Sequence, residues 1–181
     1  YGLYFSGGSN IFAYHNTISL DHAGSTATGT TYGIYSTGTA TDIRNNIVTI
    51  SRGGTGQKSC LYFTGGTQIC NNNVLLNTSS AGTNYIGFFT SGYATLSAWQ
   101  AANGAIWDGA SLNVSPAYSN PGAGDFTPTN TSLNNTGANV GIATDFYGTA
   151  RTLATPDPGA IEFAVLGLDA GITWVSPASP A

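Results

Sequence analysis

Charged residues are the scarcest class in this sequence. They make up 7% of its 181 residues, against roughly 25% in an ordinary globular domain. The fixed cations are Arg44, Arg52, Lys58 and Arg151, and the formal net charge is −4. So few cations offer little with which to neutralise phosphate groups. We therefore expect neither nucleic acid nor an anionic membrane surface as a partner.

Long apolar runs are also missing. No run approaches the ~20 apolar residues that a membrane-spanning helix needs, so we expect no membrane insertion. Disorder is disfavoured as well, because aromatic residues make up 12% of the chain and disordered segments are poor in them. The abundance of Thr, Asn, Gly and Tyr indicates an all-β protein.

The only cysteines are Cys60 and Cys70, which lie ten residues apart and flank a Gly-Gly pair. Two alternatives are open: one disulfide between them, or two separate buried thiols. The CxxC spacing of zinc sites and thioredoxin-like proteins is absent. Neither kind of chemistry is therefore indicated.

What the sequence does contain is a repeat of about thirty residues. Asn16, Asn46 and Asn73 follow one another at intervals of 30 and 27 residues, each before a short apolar run. Each repeat carries three short β-type runs, for example "GLYF", "NIFAY" and "TISL" in the first. Stacked repeats of this length and pattern are typical of a β-solenoid. We predict a right-handed parallel β-helix over residues 1–94.

The repeated asparagines are predicted to lie in the turn between the second and third strands of each coil. Asparagine tolerates the left-handed backbone region, and its amide can bond to the asparagine of the next coil. We expect Asn16, Asn46 and Asn73 to form an internal ladder that fixes coil register. Ligand binding is the alternative role.

Tyrosines recur in the first strand of each coil. Strand alternation places Leu3, Ile34 and Leu61 inward, which puts their neighbours on the outer face. Those neighbours are Tyr4, Tyr35 and Tyr62. Two interpretations are open: a surface on which sugar rings stack, or an aromatic row that stabilises the sheet.

The repeat pattern breaks after "YIGFF" at 85–89, the start of a fourth coil. The segment "TLSAWQAANG" at 95–104 predicts a short helix that Thr95 caps and that Asn103-Gly104 ends. An open solenoid end exposes core and strand edges, so terminal repeats need a cap. We assign residues 95–163 to a helix and loop cap at the C-terminal end.

The same region carries four motifs: "LSAW" (96–99), "SLNVSPAYSNPGAGDF" (111–126), "TDFYGTAR" (144–151) and "PDPGAIEF" (156–163). Together they resemble the C-terminal end of secreted right-handed parallel β-helix proteins of the pectate-lyase-like type, particularly from Bacteroidota. Residues 164–181 resemble a linker and the first strand of a following Ig-like module. The resemblance implies a secreted or cell-surface location, type 9 secretion and further domains on both sides.

Catalytic groups are few. Among the repeated coils only Asp21 and Asp42 are acidic, too few for a lyase or a polygalacturonase. Asp42 and Arg44 share a strand face, where pairing with one another is the simpler interpretation. The other acids cluster late, and we expect Asp145, Arg151, Asp157 and Glu162 to form a salt-bridged cap, with a weak calcium site as the alternative.

These observations predict a non-catalytic extracellular segment, a stalk or adhesin, that needs no cofactor. The alternative is part of a carbohydrate-binding or polysaccharide-degrading β-helix protein whose active site lies on missing upstream coils. Expected partners are extracellular polysaccharide or other surface proteins.

Overall fold

The computed structural model describes residues 1–164. Almost all of the expected linker and Ig-like strand, residues 164–181, lies outside the described residues. Three parallel sheets run along the stack, and each complete coil contributes one strand to each sheet. The first coil consists of β1 (Leu3–Phe5), β2 (Ile11–Tyr14) and β3 (Thr17–Leu20). The predicted parallel β-solenoid is thus confirmed.

The next coils repeat this order. The second consists of β4 (Thr31–Ser36), β5 (Ala40–Arg44) and β6 (Ile47–Ile50). The third consists of β7 (Lys58–Phe63), β8 (Thr67–Asn71) and β9 (Val74–Asn77). A fourth rung, β10 (Asn84–Phe89), pairs parallel with β7, and β11 (Ser91–Tyr93) turns back antiparallel to it.

The core lies inside the coils, where residues in register stack on one another. Leu3 pairs with Ile34, and Ile34 with Leu61, as strand alternation predicts. Ile34 and Leu61 are fully buried, whereas Leu3 in the first coil is only half-buried. Burying an aliphatic side chain of this size contributes roughly 2 kcal/mol, so stacking of coils is the main stabilising contribution.

The C-terminal end of the stack is closed by two tryptophans. The helix α1 (Leu96–Gln100) begins after Thr95, whose hydroxyl accepts a hydrogen bond from the N–H of Ala98, as predicted. It ends at Gln100, before the predicted end at Asn103-Gly104, which lie in a separate 3₁₀ turn. The helix buries Trp99, which stacks on Trp107 at 4.7 Å between ring centroids. Both rings pack against Phe63 of the last complete coil.

The expected cap at 95–163 has two parts with different positions. Residues 95–112 cover the end of the stack, where Leu112 bridges to Val74. An antiparallel hairpin follows, β12 (Tyr118–Asn120) and β13 (Asp125–Pro128). Residues 134–163, here called the strap, then run back along the side of the coils. Short 3₁₀ turns occupy Asn103–Ala105, Pro121–Ala123 and Thr131–Leu133.

The strap side has a second, smaller core. Ile47 and Val74 project from the third sheet and are buried beneath Leu133 and Phe163. Within residues 1–164, no helix is long and apolar enough to cross a membrane.

Candidate functional site

The asparagine ladder is present, with its bonds running in one direction. The Nδ2 atom of Asn16 donates to Oδ1 of Asn46 at 2.9 Å, and that of Asn46 donates to Oδ1 of Asn73 at 3.1 Å. The backbone N–H groups of Asn16 and Asn46 donate to the same oxygens. Asn46 and Asn73 are fully buried. The three side chains therefore lock each coil to the next.

The ladder ends on a buried carboxylate that the sequence did not reveal as part of it. Asn73 donates through Nδ2 to Asp108 at 2.9 Å, and Asp108 also accepts from the indole N–H of Trp99 at 2.7 Å. The hydroxyl of Ser111 bonds to the same carboxylate and accepts from the N–H of Asn73. Asp108 is fully buried, and it connects the ladder to the tryptophan-closed end.

The left-handed turn residues are not the ladder asparagines, which corrects the expectation from sequence. The positive φ angles fall one residue earlier, at His15 (54°), Asn45 (59°) and Asn72 (54°). The physical reason is that the left-handed residue turns the chain at the corner. The next residue can then point its amide inward along the stack.

These turn residues form an outer row that docks on the strap. Asn72 donates to the carbonyl of Thr136 at 2.9 Å. Asn45 bonds both backbone groups of Ala138, donating to its carbonyl at 2.7 Å and accepting from its N–H at 2.8 Å. His15 contacts the carbonyl of Asp157 through Nδ1 at 3.1 Å. Each coil is thus tied to the strap through one turn side chain.

His15 is the titratable member of this row. Its Nε2 lies 2.9 Å from the amide nitrogen of Asn45. Burial, and to a smaller extent the positive charge of Arg151, lowers the pKa of His15 to about 4. The imidazole is therefore neutral at pH 7, in keeping with its structural position in the turn.

The strap is held together by the charged residues that the sequence grouped. Arg151 pairs with Glu162 at 3.1 Å, with the guanidinium group almost completely buried. It also donates to the carbonyls of Asp157 and Gly159. The expected salt bridge is formed with Glu162, whereas Asp145 binds backbone N–H groups.

The carboxylates of the strap accept hydrogen bonds from the backbone. Burial by itself raises the pKa of Asp145, but bonds from the N–H groups of Glu162, Thr149 and Tyr147 outweigh it and hold that pKa below its ordinary value. Asp157 accepts from the N–H groups of Asn135 and Phe163, while burial raises its pKa. Oxygens directed at N–H groups are poorly placed to ligate calcium. Within residues 1–164, no three His, Cys, Asp or Glu side chains are grouped to hold a metal ion.

The outer tyrosines stack face to face. Together with Phe88 of the fourth rung they form a row, here called the tyrosine stack, of Tyr4, Tyr35, Tyr62 and Phe88. Successive centroids lie 5.1, 5.2 and 4.5 Å apart, with interplanar angles of 23°, 10° and 6°. Each face of Tyr35 and Tyr62 is therefore covered by the neighbouring ring. The geometry favours a stabilising row, because a sugar ring needs a free aromatic face.

A second outer surface lies on the sheet of β2, β5 and β8. Phe12, Asp42 and Ile69 are in register there, and Phe12 and Ile69 are 64% and 54% exposed. Asp42 forms the expected pair with Arg44 through two bonds of 2.7 and 2.5 Å. The hydroxyl of Tyr14 donates to the same carboxylate at 2.7 Å. The surface thus combines exposed apolar side chains with an internally neutralised charge pair.

The two cysteines do not form a disulfide with each other. Cys60 and Cys70 are separate buried thiols. Burial raises the pKa of both side chains, which keeps them in the unreactive thiol form.

Comparison of the chain with protein-family models, with curated proteins and with solved structures finds no match in any of the three.

Proposed function

We propose that this chain is a non-catalytic structural segment of an extracellular protein, a rigid spacer or stalk of the adhesin type. Its coils are cross-linked by a buried ladder and by a strap along one side. Such an arrangement resists local unfolding, because opening one coil breaks bonds to both its neighbours and to the strap.

The observation that carries this proposal is the engagement of the charged side chains. Each of the four fixed cations binds within the fold: Arg44 to Asp42, Arg52 to the Thr31 hydroxyl, Lys58 to three carbonyl oxygens, and Arg151 to Glu162 and two carbonyls. The buried carboxylates are occupied in the same way. General acid–base catalysis needs a group that can reach a substrate proton, and these groups are committed to structure.

The location and origin in this proposal rest on the resemblance of the C-terminal motifs alone. They imply secretion or display at a cell surface, a pectate-lyase-like relative in Bacteroidota, and export by type 9 secretion. The partners proposed on that basis are extracellular polysaccharide or other surface proteins.

A second candidate function is carbohydrate binding, and one observation favours it. Phe12 offers an exposed ring beside polar groups of Tyr14, Asp42 and Arg44, a combination that suits a sugar with both apolar and hydroxylated faces. Under this second proposal, the chain is part of a carbohydrate-active protein whose catalytic site lies on upstream coils.

A screen of the full chain on a glycan array, with and without calcium, tests both candidates. A parallel assay follows product release from acidic and neutral polysaccharides. The spacer proposal expects no cleavage, and absence of glycan binding would leave other surface proteins as the proposed partners. It also expects slow amide exchange at Asn46 and Asn73, whose N–H groups are bonded inside the stack.

Two matched variants assign any binding to a surface. Loss of binding in Phe12→Ser, with Tyr35→Leu unchanged, would place the sugar on the sheet of β2, β5 and β8. The reverse pattern would assign it to the tyrosine stack. Cleavage by the chain alone would overturn the spacer proposal.

A further inference from the structure

The first coil has an open side. Among the described residues, β1, β2 and β3 each form the edge of their sheet, and an edge strand presents unpaired N–H and C=O groups. The side chains there are less covered than their register partners. Leu3 and Leu20 are half-buried, whereas Ile34 and Ile50 are 0% and 1% exposed.

The ladder gives this open side a defined hydrogen-bonding character. Oδ1 of Asn46 and of Asn73 each accepts both the N–H and the Nδ2 of the asparagine one coil before it. Those backbone bonds fix which side of each amide carries the oxygen. Oδ1 of Asn16 occupies the same place in the first coil, and no donor within residues 1–164 bonds to it. The open side therefore presents an acceptor that matches the donor pair of a ladder asparagine.

Asn46 and Asn73 make a further bond that Asn16 does not make. Each donates through Nδ2 to a backbone carbonyl of the coil before it, to Ala13 at 2.8 Å and to Ile43 at 2.9 Å. Both carbonyls belong to the residue three positions before the ladder asparagine of that coil. A coil stacked on the first would supply this acceptor to Asn16.

The strap extends a wall alongside the open side. A groove of about 590 Å³ lies between the first coil, at Leu3, Asn16 and Ile18, and the strap, at Ile142 and Phe146. Phe146 and its neighbour Tyr147 are 76% and 65% exposed. The strap is anchored here because Ala160 donates to the Thr17 hydroxyl and accepts from the N–H of Phe146.

We propose that the open side of the first coil binds one further parallel β-coil with asparagine at its ladder position, and that strap residues 142–147 form the side wall of this docking site. The incoming asparagine donates through its N–H and Nδ2 to Oδ1 of Asn16, and its coil accepts from Asn16 Nδ2. Its third strand lies on the strap side, where the third strands of the second and third coils are already covered by the strap and by Leu133.

A second copy of this chain does not match the site. Its C-terminal end is closed by Trp99 and Trp107, so it has only its own open side to offer. Two open sides would bring two Asn16 oxygens, both acceptors, against each other. The inference does not depend on the proposed function, since it rests on the bonding between coils.

The test adds a coil to the full chain. A copy of residues 31–58 fused directly before Tyr1 keeps the 27-residue spacing that separates Tyr35 from Tyr62. We expect the added coil to resist proteolysis, and the amides of β1, β2 and β3 to exchange about tenfold or more slowly than in the unfused chain. Rapid cleavage of the copy with unchanged exchange would overturn the proposal.

Two variants separate specific docking from simple attachment. Changing the ladder residue only within the copy, as Asn46→Asp, removes the Nδ2 donor and places a carboxylate against Asn16, so the protection should be lost. Phe146→Ser should weaken protection in the fusion and leave the unfused chain almost unchanged. If the Asp variant protects β1 as well as asparagine does, the ladder does not direct docking.

Two other occupants of the open side, a second copy of the chain and residues 165–181, would each give a different result. Concentration-dependent dimers of the unfused chain that protect β1, β2 and β3 would assign the site to a second copy. Faster exchange of these strands in a chain ending at Ala164 would assign it to residues 165–181. Either result overturns the proposal.

Discussion

The asparagine ladder and the tyrosine stack both consist of residues repeated once per coil, yet they hold the coils by different means. In the ladder, Asn46 and Asn73 are buried and every bond is directional. In the tyrosine stack the rings are partly exposed and contact one another face to face, without directional bonds. A buried polar group that loses its partner is costly, whereas an exposed ring is simply solvated. The ladder should therefore be the more sensitive to substitution.

The largest effect is expected at the centre of the ladder. Asn46→Leu leaves the N–H of Asn16 and the carbonyl of Ala13 without a partner, and it removes one of the two donors to Oδ1 of Asn73, which keeps the N–H of residue 46. With roughly 1–3 kcal/mol for each unsatisfied buried group, we expect the free energy of unfolding to fall by about 4 kcal/mol. Urea denaturation followed by circular dichroism measures it. The control is Asn139→Leu, since Asn139 is exposed and bonds only to the nearby N–H of Gly141. Equal midpoints for the two variants would refute the ladder's role.

The next largest effect is expected at the ion pair of the strap. Glu162→Gln leaves the buried guanidinium of Arg151 with carbonyl partners only. Breaking a buried pair from one side costs about 3 kcal/mol. Exchange at the amides of Gly137 and Gly159 should accelerate first, because both lie in strap contacts. Asp21→Asn, at an exposed carboxylate outside the strap, serves as control. A strap that stays protected in Glu162→Gln would argue that the ion pair is dispensable.

A pH effect of intermediate size is expected at His15. Its folded pKa of about 4 lies below the ordinary 6.5. Above pH 6.5 the imidazole is neutral in both states. Between pH 6.5 and 4 only the unfolded chain takes up the proton, so stability is lost as the pH falls. The full shift corresponds to about 3 kcal/mol, and partial solvation of the turn reduces it to about 2.

The chain itself supplies the matched control for His15. The second and third coils carry asparagine at the same left-handed turn position, so His15→Asn keeps the turn and removes the titration. The difference in unfolding free energy between wild type and variant should change between pH 7 and 4. The charges of Arg151, Asp157 and Glu162 are common to both proteins and largely cancel. A difference that is constant with pH would contradict the expectation.

The smallest effect is expected in the tyrosine stack. Tyr35→Leu removes the ring contacts with Tyr4 and Tyr62 in the stack and those with Tyr1 and Tyr32 beside it. Because leucine still packs between the rings of the stack, which are partly exposed, we expect a net loss of about 1 kcal/mol, close to that of one aromatic pair, in the same urea experiment. Tyr147→Leu, at an exposed ring outside the stack, should have almost no effect. A loss at Tyr35 as large as that at Asn46 would remove the distinction between the ladder and the tyrosine stack.

The asparagine spacing predicted the ladder because a register-keeping amide must recur once per coil. The same spacing led to a wrong assignment of the left-handed residue. In the second and third coils asparagine occupies both the corner, at Asn45 and Asn72, and the position after it, so only backbone angles distinguish the two. The ten-residue spacing could not decide whether Cys60 and Cys70 form a disulfide. Two cysteines that both point into the core from successive strands need not lie within bonding distance of each other.

Asp108 shows a different limit of prediction. It belongs to no repeat, and it joins the neighbouring Trp99 and Ser111 to Asn73, which lies 35 residues away in the sequence. A lone buried acid is recognisable only once the fold brings its donors together.

The sequence by itself determined the solenoid, its coil length, the inner ladder and the capping helix, since each is encoded by local periodicity that repeats or by a short capping pattern. Only the tertiary structure decided the course of the strap, the partner of Arg151 and the open side of the first coil. The strap follows its course through contacts with coils far away in the sequence, as in the bond between His15 and Asp157, whereas Arg151 meets Glu162 only through the local fold of the strap. Such contacts leave no periodic signal, because each is made once.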